Sequence, residues 1–347
     1  MNKKLTIRDV AKHAGVSHAT VSYVVNGVKK VSEETKLKVL SSIKELNYSP
    51  DFTAISLSKR KSNIVGVMVP LIENSPASMF KKNQYYHDFL SGVEMVAREN
   101  NFDTMITGVG NPEECREWVI KRNLDGLIIL GIFPERLYRE MKKLDIPIVL
   151  IDTYEEYTNQ YNNVKIDDEL GGYLATKHLV ELGHKNIGFV GTNLTLSPVD
   201  IKRFEGFKKV LKESGISFNE RLVFESYDIT FEHGVQVGEH ILNSGEEVTA
   251  FVTVSDILAI GMIKAFQKNN KHIPDDYSIV GFDDLSICEY ISPSLTTINQ
   301  DIFNKGKVAT DLILKSINNG GSSTQMVENK TVELPVKLII RESTKSI

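Results

Sequence analysis

The chain has 347 residues, two cysteines and a net charge of −4, which is long enough for more than one hydrophobic core and so for two or three compact units. Cys115 and Cys288 stand too far apart for a disulfide framework or a metal cluster. No run of about 18 apolar residues occurs, and Met1-Asn2-Lys3-Lys4-Leu5-Thr6 does not lead into the apolar stretch of a secretion signal, so a cytoplasmic protein with no membrane partner is expected.

The charge is unevenly placed. Residues 1–62 hold 12 Lys/Arg against 5 Asp/Glu, a balance of +7 that leaves −11 for the rest. A basic head suits nucleic acid, because each phosphate neutralised releases counterions. Three short helices are predicted in it. Thr6 reads as an N-cap with Asp9 three residues on, and Ile7, Val10, Ala11 and Ala14 form one apolar face closed by Gly15. Ser17 caps a second helix that buries Val21, Val24 and Val25 and turns His18, Ala19, Ser22 and Tyr23 outward, ending at Asn26-Gly27. Ser32 begins a third, with Glu33 and Glu34 in its first turn and Leu37, Leu40, Ile43 and Leu46 directed inward. Two helices joined by a Gly-containing turn, the second short and polar outside, read as a helix-turn-helix.

The strings "LTIRDVAKHAGVSHATVSYVVNG" and "VSEETKLKVLSSIKELNYSPDFTAISL" resemble the start of LacI-family regulators almost position by position. The resemblance implies that Thr6, Ser17, Thr20, Ser22 and Asn26 hold the sugar-phosphate backbone, a task suited to short hydroxyls and amides at helix N-termini. It places His18, Ala19 and Tyr23 at base edges. The family commonly has Arg where this chain has Tyr23, so a bidentate guanine contact is not available there. Residues 51–62 are expected as a hinge helix that orders on double-stranded operator DNA, with Ala54 and Leu57 at the minor groove and Leu57 wedged between bases.

From residue 63 onward, β-branched runs alternate with amphipathic helices. Strands are predicted at 64–69, 104–107, 126–130, 147–151, 186–191, 250–254 and 278–282, with helices near 88–100, 114–122, 135–144, 169–182, 200–214, 232–243, 256–268 and 301–318. Such alternation predicts two parallel-sheet α/β lobes, with ligand between them at the carboxyl ends of the strands. The strings "RFEGFKKVL" and "SIVGFDDLSICEYISPSLTTINQD" resemble LacI-family and type I periplasmic sugar-binding cores. By that resemblance Arg203, Asp256, Asp283 and Gln300 bind an effector, Arg203 through its five-donor fork. Asp256 also has a purely structural alternative, capping of the helix that follows it. Ile229 stands where sugar-responsive relatives carry an aromatic platform, with Phe231 close by. The loop from Pro70 to Tyr85 is longer than in relatives, and Ser75, Tyr85 and Tyr86 are expected as candidates to line the cleft.

The expected organisation is therefore a DNA-binding domain over 1–50, a hinge over 51–62 and a two-lobed effector and dimerisation domain over 63–347. Family effectors include sugars, sugar phosphates, purines and nucleosides, and a protein corepressor in some members; a sugar-like small molecule is the expectation here. The tail shows no leucine heptads, so a homodimer on a pseudo-palindromic operator is expected. A solute-binding protein is the alternative for the body alone. An enzyme is not expected, for the chain lacks G-x-G-x-x-G, a phosphate loop, H-E-x-x-H and G-x-S-x-G, and no cofactor or metal is implied.

Overall fold

The computed structural model describes residues 5–25, 28, 30–48, 61–70, 84–109, 111–153, 157, 159–192, 194–195, 197–319 and 330–347. The chain divides into two compact units, Met1–Asn63 and Ile64–Ile347.

The first unit contains α1 (Ile7–Ala14), α2 (His18–Val25) and α3 (Glu33–Glu45). Its start is locked by Asp9, whose Oδ2 accepts from the Thr6 backbone N–H at 2.8 Å and from its hydroxyl at 2.7 Å. Gly15 ends α1 at φ 64°, a backbone setting that glycine adopts without steric cost. Ser17 Oγ accepts from the Thr20 N–H at 3.1 Å and thereby caps α2. Val10, Ala11, Val21 and Val39 form the small core, with Ile7, Val24, Val25, Ile43 and Leu46 packed round it. Leu37 and Leu40 are not inward as expected; they are 65% and 45% exposed. The buried stripe of α3 runs through Val39, Ser42, Ile43 and Leu46, and at roughly 100° per residue Leu37 lies about 200° and Leu40 about 100° round the helix from Val39.

In the second unit two six-stranded sheets lie in two lobes. The N-lobe sheet has the order β2-β1-β3-β4-β5-β11, from β1 (Ile64–Pro70), β2 (Asp103–Val109), β3 (Gly126–Leu130), β4 (Ile148–Ile151), β5 (Asn162–Ile166) and β11 (Thr331–Leu334), all parallel. The C-lobe sheet has the order β7-β6-β8-β9-β10-β12, from β6 (Ile187–Gly191), β7 (Val223–Glu225), β8 (Ala250–Thr253), β9 (Ser278–Asp283), β10 (Thr296–Asn299) and β12 (Lys337–Ile339), the last antiparallel. Strands such as Leu127–Leu130 and Ile148–Ile151 are buried throughout, as sheets covered on both faces require. Both sheets follow the doubly wound order in which a crevice opens where the winding reverses, between β1 and β3 and between β6 and β8.

The covering helices are α4 (Gln84–Glu99), α5 (Pro112–Arg122) and α6 (Glu135–Met141) in the N-lobe and α7 (Asp168–Glu181), α8 (Pro198–Glu213), α9 (Phe231–Ser244), α10 (Asp256–Lys268) and the short α11 (Ile287–Tyr290) in the C-lobe. The long α12 (Ile302–Asn318) follows a C-lobe strand yet packs on α4 and on β3, β4 and β5 of the N-lobe. The chain therefore passes between lobes three times, after β5, after β10 and between β11 and β12. Three helix pairs among the described residues approach at backbone distance, α7 with α8, α9 with α10 through Gly234 and Gly261, and α4 with α12. A Cβ on Gly172 of α7 would stand 2.0 Å from the Arg203 carbonyl oxygen of α8, and one on Gly306 of α12 would stand 2.2 Å from the Phe89 carbonyl oxygen of α4.

Candidate functional sites

In the head, α2 exposes His18, Ala19 and Tyr23, leaves Thr20 and Ser22 half-buried, and buries Val21. The Ser17 and Thr20 hydroxyls bond each other at 2.8 Å at its N-terminus. An eight-residue helix presenting polar groups at its N-terminal end has the size and chemistry to enter a major groove. Asn26, Ala54, Leu57 and Ser75 lie outside the described residues.

In the body, side chains from distant parts of the sequence converge where the lobes meet. Arg203 rises from α8 beside the β6/β8 switch point. Its Nε donates to Asp168 Oδ1 at 2.8 Å, its Nη1 donates to the Val254 carbonyl oxygen at 2.6 Å, and its guanidinium carbon sits 3.5 Å over the Phe282 ring. Among the described residues, two of its five N–H donors are thus engaged within the protein. Burial lifts the Asp168 carboxyl to about 6 even though Arg203 pulls it down. Asp283 ends β9 at φ 125°, a strained setting for a residue with a Cβ. Its Oδ1 accepts from Gln300 Nε2 at 2.5 Å. Burial and the neighbouring Asp256 carboxylate push Asp283 well above the usual carboxylate range, against the pull of Arg203.

Asp256 is fully buried, with Oδ1 accepting from the Thr297 hydroxyl at 2.5 Å and Oδ2 from the Leu285 N–H at 2.9 Å. Ser255, not Asp256, caps α10, its Oγ accepting from the Ile257 N–H at 3.2 Å. Asp256 therefore braces the Asp283–Leu285 loop from behind. Burial lifts its carboxyl to about 7. Ile229 is half-buried against the core, and its N–H donates to Asp228 Oδ1 at 2.7 Å. From the other lobe comes Tyr86, whose hydroxyl is raised by burial and by the charges of Asp228, Asp152 and Asp283. Carboxylates of both lobes thus act on one phenol.

Sequence reasoning missed Asp152, Asp168 and Lys305. Lys305 is fully buried, with Nζ 2.9 and 3.0 Å from the Asp152 oxygens and 2.5 Å from Gln300 Oε1; Tyr85 donates to Asp152 Oδ2 at 2.6 Å. A signal for Lys305 existed. It occupies the apolar stripe that runs through Ile302, Ala309 and Ile313, where a lysine breaks the pattern.

Residues 6–51 match the family described as bacterial regulatory proteins, lacI family, and residues 176–344 match the periplasmic binding protein-like domain. Catabolite control protein A of Priestia megaterium is 32% identical over 98% of this chain and 99% of its own length. The ribose operon repressor of Haemophilus influenzae is 31% identical over 99% of both. A solved Lac repressor dimer, bound to operator and the anti-inducer ONPF, superposes with a TM-score of 0.84 at 27% identity, covering 99% of this chain and 100% of that one. A DNA-reading helical head joined to a two-lobed sensor of the periplasmic-binding type defines a class of allosteric transcription regulators. The chain belongs to the LacI family of these regulators. No helix among the described residues is long and apolar enough to cross a membrane.

Proposed function

We propose that this chain is a cytoplasmic, homodimeric repressor without enzymatic activity, whose grip on a pseudo-palindromic operator is set by a sugar or sugar derivative held between the lobes. The reading divides it into a DNA-binding domain over 1–50, a hinge over 51–62 and a sensor over 63–347. Thr6, Ser17, Thr20, Ser22 and Asn26 hold phosphates, His18, Ala19 and Tyr23 meet base edges, and Ala54 and Leu57 belong to the minor-groove hinge. Arg203, Asp283 and Gln300 bind the effector with Asp152 and Asp168, while Asp256 supports Asp283. Ser75, Ile229 and Tyr86 contribute to the walls. The observation that carries the reading is the position of Arg203, which brackets the β6/β8 switch point with donors to offer beside carboxylates that accept from hydroxyls.

The test has two arms on the full chain. Selection from random duplexes should enrich one pseudo-palindrome, and a panel of neutral sugars, sugar phosphates and purines should reveal a ligand that raises the melting temperature with concentration. Arg203→Ala strands the buried Asp168, so it is made together with Asp168→Asn. This variant should lose the ligand-dependent rise and still bind the selected duplex. Loss of both activities together would show Arg203 to be structural, and failure to prefer any duplex at low salt would overturn the DNA-reading role.

A further inference from the structure

Lys305 is a desolvated cation in a helix stripe otherwise made for packing, and its surroundings satisfy it completely. Its three ammonium hydrogens meet three acceptors, Asp152 Oδ1, Asp152 Oδ2 and Gln300 Oε1. From these partners a continuous chain of side chains runs from lobe to lobe. Tyr85 of α4 donates to Asp152 at the end of β4, Lys305 of α12 donates to Asp152 and Gln300, and Gln300 donates to Asp283 at the end of β9. Tyr85, Asp152 and Lys305 are held by N-lobe elements, Asp283 belongs to the C-lobe sheet, and Gln300 lies on the crossover between them.

Two physical points give this chain a purpose. A buried ion pair adds little net stability relative to apolar packing; its best-attested use is to enforce one geometry over its alternatives. The backbone agrees, because Asp152 (φ 52°), Asp283 (φ 125°) and Asp301 beside Gln300 (φ 46°) are all held in the left-handed region. Second, an ammonium can only donate, so Lys305 fixes the Gln300 oxygen toward the N-lobe and leaves its amide hydrogens for Asp283. Separating the lobes must break the bond from Gln300 to Asp283 or draw Gln300 off a buried ammonium.

We infer that Lys305 is a positioning residue that ties the two lobes together through Gln300 and fixes the order of donors and acceptors where the lobes meet. A polyhydroxylated ligand that donates to Asp283 displaces the Gln300 amide and so acts directly on lobe separation. That last step rests on the effector reading proposed above; the tie itself does not.

Inter-lobe distance, measured by double electron–electron resonance on the full chain, tests the tie without any ligand. Nitroxides go on Arg122→Cys of the N-lobe and Lys212→Cys of the C-lobe, both exposed, while the native Cys115 and Cys288 are buried. Labelled chains are diluted with unlabelled ones. Lys305→Met is combined with Asp152→Asn so that no lone buried carboxylate compromises folding, and Gln300→Ala is made separately. The expected result is a narrow wild-type distance that lengthens or broadens in the paired variant and in Gln300→Ala, with the combination moving it no further than either alone. Folded variants that keep the wild-type distance would show that Lys305 only fills the core and would overturn the inference, as would additive effects, which would mean separate routes. Failure of the Arg203 experiment would remove the effector reading and leave this measurement standing.

Discussion

At the residue level, Asp256 shows how burial turns a carboxylate into a pH-dependent brace. Its carboxyl is raised from 3.8 to about 7, first by burial and against the hydrogen bonds from Thr297 and Leu285. The folded state therefore holds a proton that the unfolded state releases near pH 4, so this group favours folding at low pH and its contribution is lost as pH rises toward 7. Asp283 and Asp168 are raised for the same reason and add to the trend. Asp256→Asn imitates the protonated form, since its oxygen still accepts from Leu285 and the Thr297 hydroxyl turns to accept from its amide. A series of melting temperatures should fall less between pH 4 and 7 in the variant than in the wild type; parallel curves would show that Asp256 does not titrate in that range. The site was partly legible at this scale. Arg203, Asp283 and Gln300 could be singled out because the strings that hold them resemble LacI-family and periplasmic sugar-binding cores, and the fold places Arg203 over Phe282 beside Asp283, which Gln300 bonds. Asp152 and Asp168 could not, because an aspartate after a β-branched run reads equally well as a cap, and only the packing of distant segments within each lobe, Lys305 against Asp152 and Arg203 against Asp168, gives each its cation.

At the element level, the main strands and helices were legible because their hydrophobic periods are unambiguous. Ile187–Gly191 and Gly126–Leu130 are short fully apolar runs, and Asp256–Lys268 carries the period of a buried helix. The elements missed among the described residues are short or polar, such as Asn162–Ile166, Val223–Glu225, Ile287–Tyr290 and Thr296–Asn299, and the strand read in the tail is split into Thr331–Leu334 and Lys337–Ile339 of different sheets. The strands among these take their character from neighbours in the sheet, which sequence alone does not supply. Helix spacing was also hidden. Gly206 of α8 would place a Cβ 2.0 Å from the Glu169 carbonyl oxygen of α7, the reciprocal of Gly172 against Arg203. The obstacle on both sides is backbone, which cannot swing away, so Gly206→Ala should force the helices apart and cost about 1–3 kcal/mol or more. Chemical denaturation would measure this, and a loss below about 0.5 kcal/mol, the ordinary range for harmless surface changes, would mean that the pair separates freely. Because Arg203 rides on α8, ligand response should weaken as well.

For the molecule as a whole, charge separates the two kinds of recognition. The head carries +7 and the remainder −11, so duplex binding should fall steeply with salt, at about −0.9 in log K per log salt for each phosphate neutralised. The effector site proposed between the lobes is built of buried, mutually paired groups such as Arg203 with Asp168, which ions screen far less. Titrations between about 50 and 200 mM KCl should therefore weaken operator binding by orders of magnitude while barely moving the affinity for the effector. Comparable salt sensitivity in both would contradict a paired, buried effector site. The threefold passage of the chain between lobes has an outcome of its own during synthesis. The N-lobe sheet begins with Ile64, yet its outer strand β11 is made only at Thr331–Leu334. The lobe that emerges first from the ribosome thus waits for a strand made almost at the end of synthesis, and until residues 331–334 appear the Asn162–Ile166 edge stays open to pairing with another nascent chain. A message truncated before residue 331 should consequently yield aggregates, not a smaller working sensor.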